Sequence, residues 1–137
     1  MKLINKHIVT IIFLLVFSVQ ALKAQQNGIG PHGGRLKTTG NYKTELFGCD
    51  NYIEVYVFDR DTNAISNNDI SGTVEFFYSG QATLSCPLTH YGIDGFTAKI
   101  PINTFLYSKL SLNINGGFII TEKFENECSI NANKVNY

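Results

Sequence analysis

The chain is expected to fold as all-β, a single antiparallel β-sandwich of immunoglobulin-like type with about seven strands, following a cleaved signal peptide. Three observations predict this. Apolar and polar residues alternate in short runs between residues 42 and 124, and no stretch sustains a 3.6-residue period. Glycine, proline, asparagine and aspartate punctuate the gaps between runs, at spacings typical of a sandwich. About 110 residues remain after the leader, enough for one hydrophobic core and too few for two domains.

Residues 1–24 read as the signal peptide. Lys2 and Lys6 supply a positive start, Ile8 to Val19 is a nearly unbroken apolar run, and Ala21-Leu22-Lys23-Ala24 ends in a small residue. The apolar run is well short of the ~20 residues that span a bilayer as a helix. Cleavage after Ala24 places the mature chain outside the cytoplasm, periplasmic or secreted, with no membrane span. Residues 25–40 then read as a Gly-rich arm, 41–129 as the sandwich domain and 130–137 as a C-terminal tail.

The whole chain carries 11 basic and 11 acidic side chains, and loss of Lys2, Lys6 and Lys23 leaves a formal charge of −3. The charges are scattered, with no basic run, which argues against nucleic acid or an anionic membrane surface as a partner.

The strands follow in order. Tyr42 to Phe47 is short and mixed. Tyr52 to Asp59, Y-I-E-V-Y-V-F-D, is dense in β-branched and aromatic residues and reads as buried on most of both faces. Gly72 to Tyr78 puts Val74, Phe76 and Tyr78 on one side, and Ser79-Gly80 reads as a tight connection to a strand around Cys86. Phe96, Ala98, Ile100 and Ile102 alternate, with Pro101 on the other face suggesting a sheet edge. Leu110, Leu112 and Ile114 alternate before Asn115-Gly116, a two-residue hairpin signal, and Phe118 to Phe124 returns.

Cys49, Cys86 and Cys128 survive into the mature chain, and export makes one disulfide the expectation. Alternation in Ala82 to Leu88 puts Cys86 with Leu84 and Leu88, as a buried thiol. Cys49 and Cys128 stand in polar contexts at the margins of strands and are the expected pair. Closing so long a loop contributes about 4 kcal/mol in the chain-entropy picture.

Three constellations bear on chemistry. Gly28 to Lys37, G-I-G-P-H-G-G-R-L-K, sets His32 among glycines, and a neutral imidazole is the commonest side-chain metal ligand. If Thr44 and Leu46 face the core, Glu45 lies on the opposite face, where the arm can fold back to bring His32 against it. That pair could hold a borderline ion weakly or form a hydrogen bond that pins the arm, and the hydrogen-bonded anchor is the simpler reading. Asp59-Arg60-Asp61-Thr62-Asn63 begins like a calcium loop, but Ala64 stands where the turn needs glycine and Ile70 where a glutamate should close the shell, so a turn is expected. Cys86-x3-His90 is reminiscent of a blue-copper pair, yet the only methionine is Met1, so a core thiol and a loop histidine are expected. No G-x-S-x-G, H-E-x-x-H or phosphate-binding glycine loop occurs, and the chain is read as non-catalytic.

Taken together, Pro31-His32-Gly33-Gly34, Tyr42-x-x-Glu45-Leu46, Val55 to Asp59, Ser71 to Val74 and Gly92-Ile93-Asp94-Gly95-Phe96-x-Ala98 resemble a group of small exported bacterial domains that open with H-G-G. The leader ending in A-Q is similar to those of Bacteroidota-type bacteria. The resemblance implies a β-sandwich associated with heavy-metal or copper efflux and handling. It also implies a transition metal (Cu or Zn) as the cofactor, with His32 and Glu45 as the polar site members, and a metal-efflux component or other envelope protein as partner. The other function class open to the sequence is a structural or protein-interaction module with no metal dependence.

The exported protein is expected to begin at Gln25 and, denatured without reductant, to titrate one thiol. Intact mass and thiol labelling check both, and three reactive thiols would contradict the pairing.

Overall fold

A computed structural model describes residues 28–48 and 50–127, so the leader, Cys49, Cys128 and the 130–137 tail lie outside the described residues. The described residues form nine strands: β1 (Arg35–Thr39), β2 (Tyr42–Phe47), β3 (Tyr52–Phe58), β4 (Ile70–Phe77), β5 (Leu84–Pro87), β6 (Thr89–Tyr91), β7 (Gly95–Lys99), β8 (Tyr107–Ile114) and β9 (Phe118–Glu125). All pairings are antiparallel, in two sheets ordered β1-β2-β3-β7-β6 and β5-β4-β8-β9. The architecture is the expected β-sandwich, with nine strands rather than seven.

Period-two alternation builds the core. Ile53, Val55 and Val57 of β3 and Phe96 and Ala98 of β7 meet Val74 and Phe76 of β4, Leu110 and Leu112 of β8, and Ile120 and Phe124 of β9. A second, smaller apolar cluster lies on the outer face of the five-stranded sheet, formed by Leu36, Tyr56 and Phe58. β3 is therefore buried on both faces.

The two additional strands have separate causes. β1 carries one apolar side chain in Arg35-Leu36-Lys37-Thr38-Thr39, too few to signal a strand, yet it pairs with β2 along its whole length. The Gly-rich arm read over 25–40 is thus corrected: its second half is an edge strand. The expected strand through Cys86 is divided. Pro87 removes a ladder donor, the Leu88 N–H turns to the Gly72 carbonyl at 2.9 Å, and the chain passes from the four-stranded sheet into β6 of the other.

Other details also differ from expectation. Cys86 is half-buried against the core rather than enclosed, and Leu84 is exposed, because β5 is a short edge strand. The connection from β4 to β5 spans residues 78–83 instead of a tight turn. β7 lies between β3 and β6 and is not an edge, Pro101 falls beyond its end, and Ile102 is exposed. Asn115 and Gly116 adopt φ of +53° and +72°, as a primed turn requires, but Ile114 pairs with Phe118, so Gly117 joins the connection.

Open sheet edges invite pairing with other chains, and both corners of this sandwich are covered. At one, the chain itself crosses through Leu88. At the other, β1 reaches β9: Arg35 grips Glu127 at 2.6 and 2.8 Å, the Lys37 ammonium donates to the Lys123 carbonyl, and the Thr39 hydroxyl donates to Glu122. Gly48 and Glu127, sequence neighbours of Cys49 and Cys128, line one shallow cavity of about 180 Å³ beside this corner.

Two inward hydroxyls, Thr44 and Ser108, are buried without a hydrogen-bond partner among the described residues. Each carries a desolvation penalty that an apolar replacement removes. Thr44→Val and Ser108→Ala are each expected to raise unfolding stability by about 1 kcal/mol. Urea denaturation checks this, and a loss of stability would contradict it.

Candidate functional site

Glycine and proline shape the segment before β1. The Gly33 N–H donates to the Gly30 carbonyl at 3.0 Å and the Gly30 N–H to the Gly34 carbonyl at 2.9 Å, closing a hairpin loop over Pro31, His32 and Gly33. Gly33 takes the left-handed position at φ +83°, which favours glycine, and Pro31 pre-sets its own φ. Ile29 bridges Arg35, and the Leu36 N–H reaches the Gly28 carbonyl at 3.2 Å. The result is a hook, residues 28–34, folded over the outer face of the five-stranded sheet.

Beneath the hook lies Glu45, with 0 % exposure. Its Oε1 accepts from the His32 N–H at 2.9 Å and the Gly34 N–H at 2.8 Å. Its Oε2 accepts from His32 Nδ1 at 2.8 Å. Every one of these partners is an N–H group, an arrangement that suits a carboxylate accepting through both oxygens. Burying such a group is costly unless its lone pairs are satisfied, and the hook satisfies them. Gly30 must lack a side chain, because a Cβ there would overlap the Glu45 carboxyl. A Cβ on Gly34 would stand 2.5 Å from Phe47 Cβ and 2.6 Å from the Leu46 carbonyl oxygen. Glycine at both positions is a packing requirement.

His32 is fixed on two sides. Its ring stacks on Tyr56 at 3.6 Å between centroids and 9° between planes, and its Nδ1 is committed to Glu45. A carboxylate only accepts, so Nδ1 carries a proton toward Glu45, and Nε2 is the ring nitrogen turned away from it. The imidazole side chain remains 35 % exposed. Tyr56 lies opposite Glu45 on one side and Gly95 on the other, with its ring against the bare Gly95 backbone. The Tyr56 hydroxyl donates to Glu54 at 3.0 Å. Its pKa is pushed up to about 12 by burial first, then by the hydrogen bond and charge of Glu54 and by Tyr91 and Asp94 nearby.

The structure thus joins the two predicted site residues, His32 and Glu45, directly. It also gives them different parts: Glu45 is buried under the hook with both oxygens engaged by it, while His32 is partly exposed and turns its second ring nitrogen away from Glu45. Among the described residues no group of three His, Cys, Asp or Glu side chains could hold a metal ion. An ion at His32 would therefore take one ligand from this part of the chain and the rest from elsewhere. Cys86 and His90 do not form a copper pair. They lie on strands of different sheets, and His90 Nε2 sits 3.1 Å from the Ile70 carbonyl oxygen. The expected Cys49–Cys128 pair falls outside the described residues.

The acidic segment at 59–63 is a turn, as expected. Asp59 Oδ1 accepts from the backbone N–H groups of Asp61 and Asn63, each at 2.9 Å, and its backbone repeats the hook's closure with Thr62 in the left-handed position at φ +65°. These bonds, that from the Asn63 N–H foremost, hold the Asp59 carboxyl below its ordinary range. The contribution is present at neutral pH and is lost as pH falls through that lowered value.

Tyr56 and Gly30 are site residues that sequence reasoning did not single out. The available signal was β3 itself, whose apolar residues on both faces require a cover on the outer one. Comparison with protein-family models, curated proteins and solved structures finds no significant match for this chain.

Glu45→Leu is expected to loosen the hook, since it removes the acceptor of the His32 and Gly34 N–H groups. Amide exchange at His32 and Gly34 should accelerate strongly, and stability should fall by about 2 kcal/mol. Unchanged exchange at both amides would contradict the clamp. Asp59→Asn should flatten the acid limb of the stability–pH curve, and an unaltered acid limb would argue against the turn's bonding.

Proposed function

We propose that this is an exported, non-catalytic β-sandwich protein that serves as an accessory in transition-metal binding or efflux, with His32 presenting Nε2 to a zinc or copper ion. The observation that carries the reading is the His32–Glu45 bond. Metal-binding histidines typically donate their second ring N–H to a carboxylate or carbonyl, which fixes the tautomer and raises the basicity of the ligating nitrogen. The stack on Tyr56 adds orientation, and Glu54 and Asp94 add negative charge to the same face. The resemblance of the H-G-G segment to exported metal-handling domains points the same way. Since this part of the chain supplies one donor, the remaining ligands come from an envelope partner, an efflux component for instance, or from solvent.

The second reading is a structural or protein-interaction module without metal dependence. It is favoured by the engagement of both Glu45 oxygens in holding the hook, which needs no ion.

Titration of the mature protein with Zn(II) and Cu(II) by calorimetry separates the two. On the metal reading His32→Ala weakens binding at least about tenfold and His90→Ala leaves it unchanged. Equal, weak binding by wild type and His32→Ala would end the metal reading.

A further inference from the structure

The turn between β6 and β7, Gly92 to Asp94, is held from beneath by a buried asparagine. Asn67 is 2 % exposed, and its Nδ2 donates to the Gly92 carbonyl at 3.1 Å and the Gly95 carbonyl at 2.8 Å. Its backbone N–H donates to the Ile93 carbonyl at 2.9 Å, and its own carbonyl accepts from the Ile70 N–H at 3.2 Å. Three bonds from one residue thus fix the turn to the body. What this anchored turn presents is unusual for a solvent-facing loop: Ile93 is 82 % exposed and the adjoining Tyr91 54 %. Neither side chain contributes to the core clusters.

Charge surrounds this apolar pair. Asp94 follows Ile93 in the turn, and Glu54 lies on β3 against Tyr56, which pairs in turn with Gly95. Both carboxylates act on the Tyr56 hydroxyl, and neither forms a salt bridge among the described residues. Ordering of this kind removes the entropic cost of fixing a loop on binding, and exposed aromatic and branched side chains supply the contact area.

We propose that the Tyr91–Asp94 turn is a docking site for a basic, apolar segment of a partner protein, in which Ile93 and Tyr91 enter the partner's apolar surface while Glu54 and Asp94 pair with its lysine or arginine side chains. The inference rests on the protein-interaction reading and is independent of metal at His32. Rigid presentation, exposed apolar contacts and uncompensated negative charge coincide here, and this charge selects a cationic partner over an anionic one.

A labelled peptide of alternating arginine and leucine serves as the probe, with glutamate–leucine and arginine–serine peptides of equal length for comparison. Binding is followed by anisotropy and by amide shifts of the full mature chain. The arginine–leucine peptide should bind best, shift the amides of residues 91–95 and weaken with added salt. Ile93→Ser should weaken it at least fivefold, as should Glu54→Gln combined with Asp94→Asn, while the unfolding midpoint of the Ile93→Ser variant stays at the wild-type value. Undetectable binding, equal binding of the acidic peptide, shifts confined to other surfaces, or indifference to Ile93→Ser would each overturn the proposal. His32→Ala should leave peptide binding intact, so loss of metal affinity in that variant bears only on the metal reading.

Discussion

A carboxylate placed on the outer face of a sheet ordinarily meets water, and Glu45 does not. It is enclosed by a hook of the chain that immediately precedes β1, and the hook supplies three hydrogen bonds in place of water. The two sides depend on each other. Without the hook, Glu45 would face solvent beside the Leu36, Tyr56 and Phe58 cluster. Without the carboxylate, the N–H groups of His32 and Gly34 would lose their acceptor. The glycines at 30 and 34 follow from this contact, since any side chain there would enter the space the carboxyl and Phe47 occupy. His32 inherits its orientation from the same bond.

The sandwich under the hook is arranged so that this outer face is the specialised one. Its inner layer is ordinary alternation of aliphatic and aromatic residues, and its corners are covered by the chain crossing at Leu88 and by polar contacts between β1 and β9. The outer face of the five-stranded sheet instead carries, in one cross-strand row, Leu36, Glu45, Tyr56, Gly95 and Tyr91. That row runs from the hook to the turn held by Asn67. A fixed imidazole stands toward one end and an exposed isoleucine and tyrosine at the other. Both proposed roles, metal presentation and partner docking, draw on a single surface whose imidazole and turn backbone are held by hydrogen bonds.

Much of this was legible in the residues. The inner strands announce themselves through Val74-x-Phe76 and Leu110-x-Leu112-x-Ile114, because a half-buried strand must alternate. The phase of β2, with Thr44 and Leu46 inward, placed Glu45 outward and made its meeting with His32 an expectation. β1 was not legible, since its single apolar residue packs on the outer cluster and leaves no pattern. The break at Leu88 was hidden because Ala82 to Leu88 keeps its alternation across a change of sheet. Cys86 had the right phase and the wrong depth, as an edge strand is covered on fewer sides than a central one. The role of Asn67 was invisible, because a buried amide that organises a distant turn leaves no local signature.

The central claim is that the Glu45 carboxylate clamps the hook by accepting a hydrogen bond from a protonated Nδ1 of His32. Long-range proton–nitrogen NMR of the imidazole at neutral pH reads that bond directly. The account predicts that Nδ1 of His32 carries a proton directed at Glu45. A ring found mainly in the Nε2–H form, or averaging freely between the two, would contradict it.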